Sequence, residues 1–458
     1  MSIMFQIPLT IRSWYTHNLL FPVEDILRGI PTTRFYNLYR EAQWWSQDRN
    51  KEYRCEALTK LIEHAYRTVP FYKRRMQQAG ISPNDIHGPE DLHAIPYLTR
   101  EDVINNLPDL ISREYDVRTL VKRASSGSTG QIVTSYQDKI AIAAGIGAFR
   151  IGWEMGNYRF GMRNVSVWGN RVTVEETWNT LGSKVKQWVY QNKRIAAYRL
   201  TDDHAVRSAL NMFLDFQPEY LDGYTNAIYF LAVKAQELGI DGLRCRGVLT
   251  TAETLFDYQR DLITKVFGPV YDGYGSGEVL GVAYQCATNQ DYHIVEPHVI
   301  VEYDSCNDSG FNELVLTDLN NYSMPFIRYK VGDLAIPSDK KCLCGRQWAT
   351  LHRIVGRTTD LISTPTGGAL LVPSFFGSSL IRQLPKIQRY QIAKVAPDKI
   401  IIRIRSTPDL SKTELNFIHG QLAPYLNGKI SYELEQVGEF PLVRSGKFKL
   451  VVDETKAQ

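Results

Sequence analysis

Between residues 164 and 275 the chain changes its hydrophobic period several times, and this limits the fold more than any other feature. Short β-prone runs (Val165-Ser166-Val167-Trp168, Gly247-Val248-Leu249-Thr250, Val270 to Gly275) alternate with helical spacing at Ala205 to Leu214 and Tyr258 to Phe267. Such alternation predicts βα units on a largely parallel sheet. In open sheets of this kind ligands gather beyond the carboxyl ends of the strands. Thr251-Ala252-Glu253-Thr254 and Tyr271 to Glu278 fall there.

The flanks read differently. Leu58, Leu61, Ile62, Ala65, Tyr66 and Val69 have helical spacing that ends at Pro70, and Phe71 to Ala79 forms a second helix stopped by Gly80. Residues 81–110 are rich in turn residues, and residues 1–50 show no clean period. Beyond the alternating region, Val299-Ile300-Val301, Glu313 to Leu316 and Ile327-Arg328-Tyr329 predict antiparallel strands. A boundary falls near Gly356-Arg357, followed by a separate pattern with a strand at Ile400 to Ile404 and a helix at Leu415 to Leu422.

Ahead of all this lies Ser125-Ser126-Gly127-Ser128-Thr129-Gly130, with four hydroxyls and two glycines in six positions. Glycines let backbone approach a ligand, and short hydroxyls add donors close to the chain. The pattern suits a loop wrapped around an anion such as a phosphate chain, with a flexible surface linker as the alternative. β-prone residues on both sides predict a strand–loop–strand hairpin. A Walker loop is excluded, because Gln131 stands where Lys would follow the glycine.

Bulk properties exclude several classes. A formal charge of +4 over 458 residues, with no dense basic block, gives no support to a nucleic-acid or membrane-surface role. No apolar run reaches the roughly 18 residues of a membrane span; the longest candidate, Ile140 to Phe149, is broken by Gly145 and Gly147. The first twenty residues lack a secretory signal pattern, so a cytoplasmic protein is expected. Six scattered cysteines fit a reducing compartment.

Six separated motifs then fall in one order: the 125–130 loop, Thr251-Ala252-Glu253, Tyr274-Gly275-Ser276-Gly277-Glu278, Arg328 to Asp333, Gly356 to Asp360, and Ser445-Gly446-Lys447. Together they resemble the adenylate-forming (AMP-forming) ligase superfamily. Leu61 to Tyr72 and Glu278-Val279-Leu280-Gly281 resemble its phenylacetate–coenzyme A ligase-like branch, which includes CapK-type capsular-polysaccharide proteins. The resemblance implies an α/β fold with a large N-terminal domain of mixed and parallel sheets, residues 1–356. A small mobile α+β C-terminal domain, residues 357–458, follows.

It also implies roles. Ser125, Ser126, Gly127, Ser128, Thr129 and Gly130 clamp the phosphates of ATP, and Glu278 holds Mg²⁺ against them. Tyr274 stacks on adenine, with Gly275 beside it and Ala252, Glu253 and Asp272 framing the ring. Asp333 accepts from both ribose hydroxyls, Arg357 contacts ribose or phosphate, and Lys447 stabilises charge as the carboxylate attacks the α-phosphorus. Trp168, Asn170, Tyr224 and Val279 border the acid pocket. The chain departs from the family pattern at Gln131, Gly277 and Thr359, the last being the usual hinge position, where Asp360 is the substitute.

Cys286, His293, Cys342 and Cys344 make a second constellation, three thiolates and one imidazole, which suits a closed structural zinc site. Some relatives in this branch carry Cys and His in these places. The alternative is four unconnected packing residues. The expected activity is ATP-dependent conversion of a carboxylic acid to its adenylate, then acyl transfer to coenzyme A. An amine acceptor, giving an amide, is the alternative, and a non-catalytic nucleotide-binding homologue is a third reading.

Overall fold

A computed structural model describes residues 7–125, 133–168, 180–200, 203–305, 311–357, 361–363, 369–371, 384, 386–426, 430–440 and 451–455. Two strands, β1 (Val121–Ser125) and β2 (Val133–Gln137), pair antiparallel, so the sequence reading of a hairpin holds. The parallel strands follow as β3 (Asn164–Trp168), β4 (Asn192–Ala196), β5 (Tyr220–Tyr224), β6 (Gly247–Thr251) and β7 (Val270–Tyr274). Then come β8 (Ala283–Cys286), β9 (Asn289–Ile294), β10 (Val299–Ser305), β11 (Asn312–Asp318), β12 (Tyr329–Ser338) and β13 (Thr350–Arg357).

Among the described residues, β3 to β13 form one eleven-stranded sheet in the order β10-β11-β12-β13-β9-β8-β7-β6-β5-β3-β4. From β7 to β4 neighbours are parallel, and from β7 to β10 they are antiparallel. Every residue of β6 is buried, as expected of a parallel strand covered on both faces. Helices Asp203–Phe216, Thr225–Glu237 and Asp257–Val266 share a core with that half. The turn-rich reading of 81–110 needs one correction, since helices Arg100–Asn105 and Leu107–Leu110 lie within it. Another concerns Ile327 and Arg328, which precede β12 instead of starting it, and Arg328 has φ 52°.

Helix Lys139–Met155 packs on the sheet and contains the apolar run noted above. Its glycines are there for contact. A Cβ at Gly145 would lie 2.9 Å from Leu280, one at Gly147 would lie 2.9 Å from the Tyr36 nitrogen, and one at Gly152 would meet the Tyr284 ring. Three different elements therefore approach this helix as closely as backbone allows.

The short strands β14 (Leu361–Ser363) and β15 (Ala369–Leu371) pair with each other. A four-stranded sheet then orders as β18 (Ser431–Gln436), β17 (Lys399–Ser406), β16 (Ile387–Ala396) and β19 (Val451–Asp453). Its own core, with helix Lys412–Leu426, includes Ile392, Ile400, Ile402, Ile418 and Leu422, and Tyr258 from the preceding region packs against it. The fold is the mixed α/β architecture with a separate small sheet that the resemblance implied.

Candidate active site

The loop between β1 and β2 carries Ser126 to Gly130, which lie outside the described residues, while Ser125 closes β1. The hairpin's base is fixed by Arg123 Nε donating to Gln137 Oε1 at 2.5 Å. Gln137 Nε2 in turn reaches the Glu278 carbonyl at 3.4 Å, so the hairpin stands beside the turn after β7. That turn is tight: Ser276 N donates to the Val279 carbonyl and Val279 N donates to Ser276 Oγ, both at 2.9 Å. Glu278 and Val279 are buried behind it.

Tyr274 ends β7 and donates its hydroxyl to Asp333 Oδ2 at 2.8 Å. Asp333 sits directly opposite Arg357 across β12 and β13, and Arg357 Nε approaches Asp333 Oδ1 at 3.1 Å. Burial raises Asp333 above the ordinary carboxylate range, while Arg357 and the Tyr274 hydroxyl pull it back down. The charge of Glu278 also bears on Asp333, as does that of Arg100. Four residues spread over eighty positions, Tyr274, Glu278, Asp333 and Arg357, thus form one electrostatic group. Arg100, which the sequence reading left out, and Tyr329, from the Arg328–Asp333 motif, belong to it.

The Thr251–Thr254 segment leaves β6 with Ala252 at φ 68°, a left-handed conformation costly for a residue with a Cβ. Glu253 Oε2 accepts from the Asn226 nitrogen at 2.8 Å, at the start of helix Thr225–Glu237, where a carboxylate is favoured. Asp272 lies within the sheet, accepting from Thr250 Oγ1 and the Tyr292 hydroxyl, both at 2.6 Å. Burial pushes Asp272 up to about 6. Gly275 follows β7, and a Cβ there would meet the Gly281 nitrogen at 2.8 Å.

At the next parallel strands, Trp168 and Tyr224 come together with ring centroids 4.7 Å apart. The Trp168 ring is held by Asp222. Its carboxylate accepts from Asn164 Nδ2 at 2.5 Å, Ser166 Oγ at 2.7 Å and Trp168 Nε1 at 2.6 Å. Burial raises Asp222 despite these three donors. Asn170, Lys447 and the 358–360 segment lie outside the described residues.

Cys286, His293, Cys342 and Cys344 do converge, their ligand atoms all within 4.8 Å of one another. Cys286 Sγ lies 3.5 Å from Cys342 Sγ, and Cys344 Sγ lies 3.4 Å from His293 Nε2. A tetrahedral zinc ion spaces such atoms about 3.5 to 3.8 Å apart, so the donor set fits one. Burial and then Arg346 hold His293 down at about 4, which keeps the imidazole neutral as a ligand requires. The four residues come from β8, β9 and the β12–β13 connection, so a bound ion would tie those segments together.

No family model matches the chain. Protein CapK of Staphylococcus aureus is 24% identical over 391 residues, covering 82% of this chain and 84% of that protein. Phenylacetate-coenzyme A ligase of Thermus thermophilus is 25% identical over 324 residues, covering 67% of this chain and 70% of that enzyme. Among solved structures, 2-hydroxyisobutyryl-CoA ligase in the postadenylation state with 2-HIB-AMP aligns at TM-score 0.70 and 17% identity, over 90% of this chain and 91% of that one. The chain is thus similar in sequence to CapK and the phenylacetate–coenzyme A ligases and alike in fold to an acyl-CoA ligase, which supports its resemblance to the adenylate-forming ligase superfamily.

Proposed function

We propose that the protein activates a carboxylic acid with ATP, forming an acyl-adenylate and pyrophosphate, and then passes the acyl group to coenzyme A. The observation that carries this reading is the convergence of Tyr274, Glu278, Asp333 and Arg357 beside the β1–β2 hairpin. Buried Asp333 is an acceptor for the ribose hydroxyls, and the Tyr274 hydroxyl and Arg357 hold its carboxylate in place. Tyr274, Gly275, Ala252, Glu253 and Asp272 line the approach of the adenine, and residues 125–130 wrap the phosphates. Mg²⁺ bound at Glu278 would neutralise phosphate charge. Trp168, Asn170, Tyr224 and Val279 border the acid, and the Trp168–Tyr224 pair supports an apolar or aryl group there.

Residues 1–356 form the body of the enzyme in this reading, and residues 357–458 form the smaller domain that brings in Lys447. An ammonium delivered to the α-phosphate stabilises charge that develops only during transfer. Structural zinc at Cys286, His293, Cys342 and Cys344 braces the sheet near the Glu278 turn.

ATP–pyrophosphate exchange across a panel of carboxylic acids tests the reading. Exchange should require one of the acids and should fall at least about 100-fold in Lys447→Ala. Silence across a broad panel would overturn it in favour of a nucleotide-binding protein without catalysis. Mass spectrometry of reactions given coenzyme A or amines separates thioester from amide. Zinc analysis should find one ion per chain, lost in Cys344→Ser.

A further inference from the structure

We infer that the N-terminal helical lobe docks the protein onto an anionic lipid bilayer surface. Residues Leu9–Tyr15, Thr16–Leu20 and Phe21–Arg28 run as consecutive helical segments, and the middle one is a π-turn. A π-turn places five residues where an α-turn places fewer, so it shifts the phase of everything after it. Because of that shift Ile11, Trp14, Leu19, Val23, Ile26 and Leu27 fall on one face, at steps of 3, 5, 4, 3 and 1. All six are exposed: Ile26 and Leu27 by 79% and 80%, the other four by between 51% and 60%. Isolated exposed apolar residues are ordinary, but a stripe this long is not.

The opposite face is firmly attached, so the stripe is not a loosely packed end. Arg12 reaches the Gly161 carbonyl at 2.7 Å and Glu219 at 3.1 Å. Phe21 packs edge-on to Phe160 at 4.9 Å, under the guanidinium of Arg150. Helix Leu181–Val189 is tied alongside through Lys186 and Tyr190, both bonded to Glu24, and it adds exposed Val185 and Trp188.

Charge chooses the occupant. Arg28, Lys184 and Lys186 are exposed on these two helices. The nearby acids offset part of this charge: Glu24 accepts from Arg28, Arg150, Lys186 and Tyr190, and Asp25 accepts from the Thr33 nitrogen, so four cations stand against two carboxylates. An apolar stripe containing Trp14, with exposed Trp188 on the neighbouring helix and an excess of cations, matches the helix that lies in an anionic interface. The whole-chain charge of +4 is too small to reveal this, and the local arrangement carries it.

The inference is independent of the ligase reading. Its test is co-sedimentation of the full chain with phosphatidylcholine vesicles holding about one-third phosphatidylglycerol, beside pure phosphatidylcholine vesicles. The wild type should pellet with the anionic vesicles, less so as salt rises. Ile26→Asp with Leu27→Asp should reduce pelleting at least about tenfold, with unchanged circular dichroism. Trp14→Ser is the independent variant and should weaken binding in the same direction. Three results would overturn the proposal: no pelleting of the wild type, equal pelleting of the double variant, or a wild-type dimer in light scattering that the double variant converts to monomer.

Discussion

The two halves of the long sheet treat buried carboxylates differently. In the parallel half, Asp222 and Asp272 are held by neutral donors: an amide, an indole and hydroxyls. In the antiparallel half four carboxylates, two of them only partly buried, each meet a Lys or Arg, while buried Asp318 accepts from the Asn320 nitrogen. Glu296 pairs with Arg54 at 2.8 Å, Glu302 with Arg328 at 2.9 Å, Asp304 with Lys330 at 2.6 Å, and Asp333 with Arg357 at 3.1 Å. Neutral cages set the direction of a side chain at little cost in lost charge. Ion pairs bolt one segment to another and leave an expensive remainder when one partner is removed. The parallel half is thus suited to orienting a pocket wall, and the antiparallel half to holding the frame.

The sharpest way to break this contrast is Arg328→Ala. It strips Glu302 of its partner and also frees the carbonyls of His93 and Ile95, which Arg328 Nη1 now binds at 3.1 and 2.6 Å. A loss of about 3 to 5 kcal/mol is expected in urea unfolding. A loss below about 1 kcal/mol would erase the distinction.

Asp272 sharpens the contrast through pH. Its folded value of about 6 lies above its ordinary 3.8, so the folded state binds the extra proton. Stability from this group is therefore present at low pH and declines as pH rises through about 6. Asp272→Asn removes that decline. Relative to wild type, the variant should gain about 2 to 3 kcal/mol between pH 4 and pH 7, read from paired unfolding curves. A constant difference across that range would show the carboxyl to be already ionised.

Asp222→Asn is expected to cost less, about 1 to 3 kcal/mol, because one of three donors would then face an NH₂ group. Its clearer signature is functional. Preference among carboxylic acids should shift while ATP dependence stays unchanged, since Trp168 loses the bond that sets its angle to Tyr224. Smallest of all is Cys245→Ser, outside both sets, whose Sγ donates to the Pro218 carbonyl at 3.6 Å in a bond a hydroxyl can keep, with an expected change of about 1 kcal/mol or less.

Much of this frame was legible in the sequence. The hairpin at 121–137 announced itself by β-prone residues flanking glycines, and β6 and β7 by apolar runs between helical patterns. Asp333 and Arg357 were each found by motif, but their cross-strand pairing needed the register. Arg100 was missed because Thr99-Arg100-Glu101-Asp102 looks like any helix cap, and Thr99 does cap that helix. Leu9 to Arg28 showed no period for a definite reason: the π-turn at Thr16–Leu20 adds a residue to the repeat, and a fixed 3.6 count runs out of phase across it. The neutral cage around Asp222 was not found, because its three donors alternate along β3 while the acceptor lies on β5, and only the register brings them together.

Helix Lys139–Met155 has a consequence of its own. Gly147 admits helix Thr32–Ala42 at Phe35 and Tyr36, Gly145 admits Leu280 just after the Glu278 turn, and Gly152 admits Tyr284 of β8. A single rod with three such notches acts as a keel shared by the outer lobe and the anion cradle. A methyl group added at residue 147 would push on the same beam that Leu280 packs against two residues beyond Glu278, so strain introduced at Phe35 and Tyr36 would reach the turn after β7.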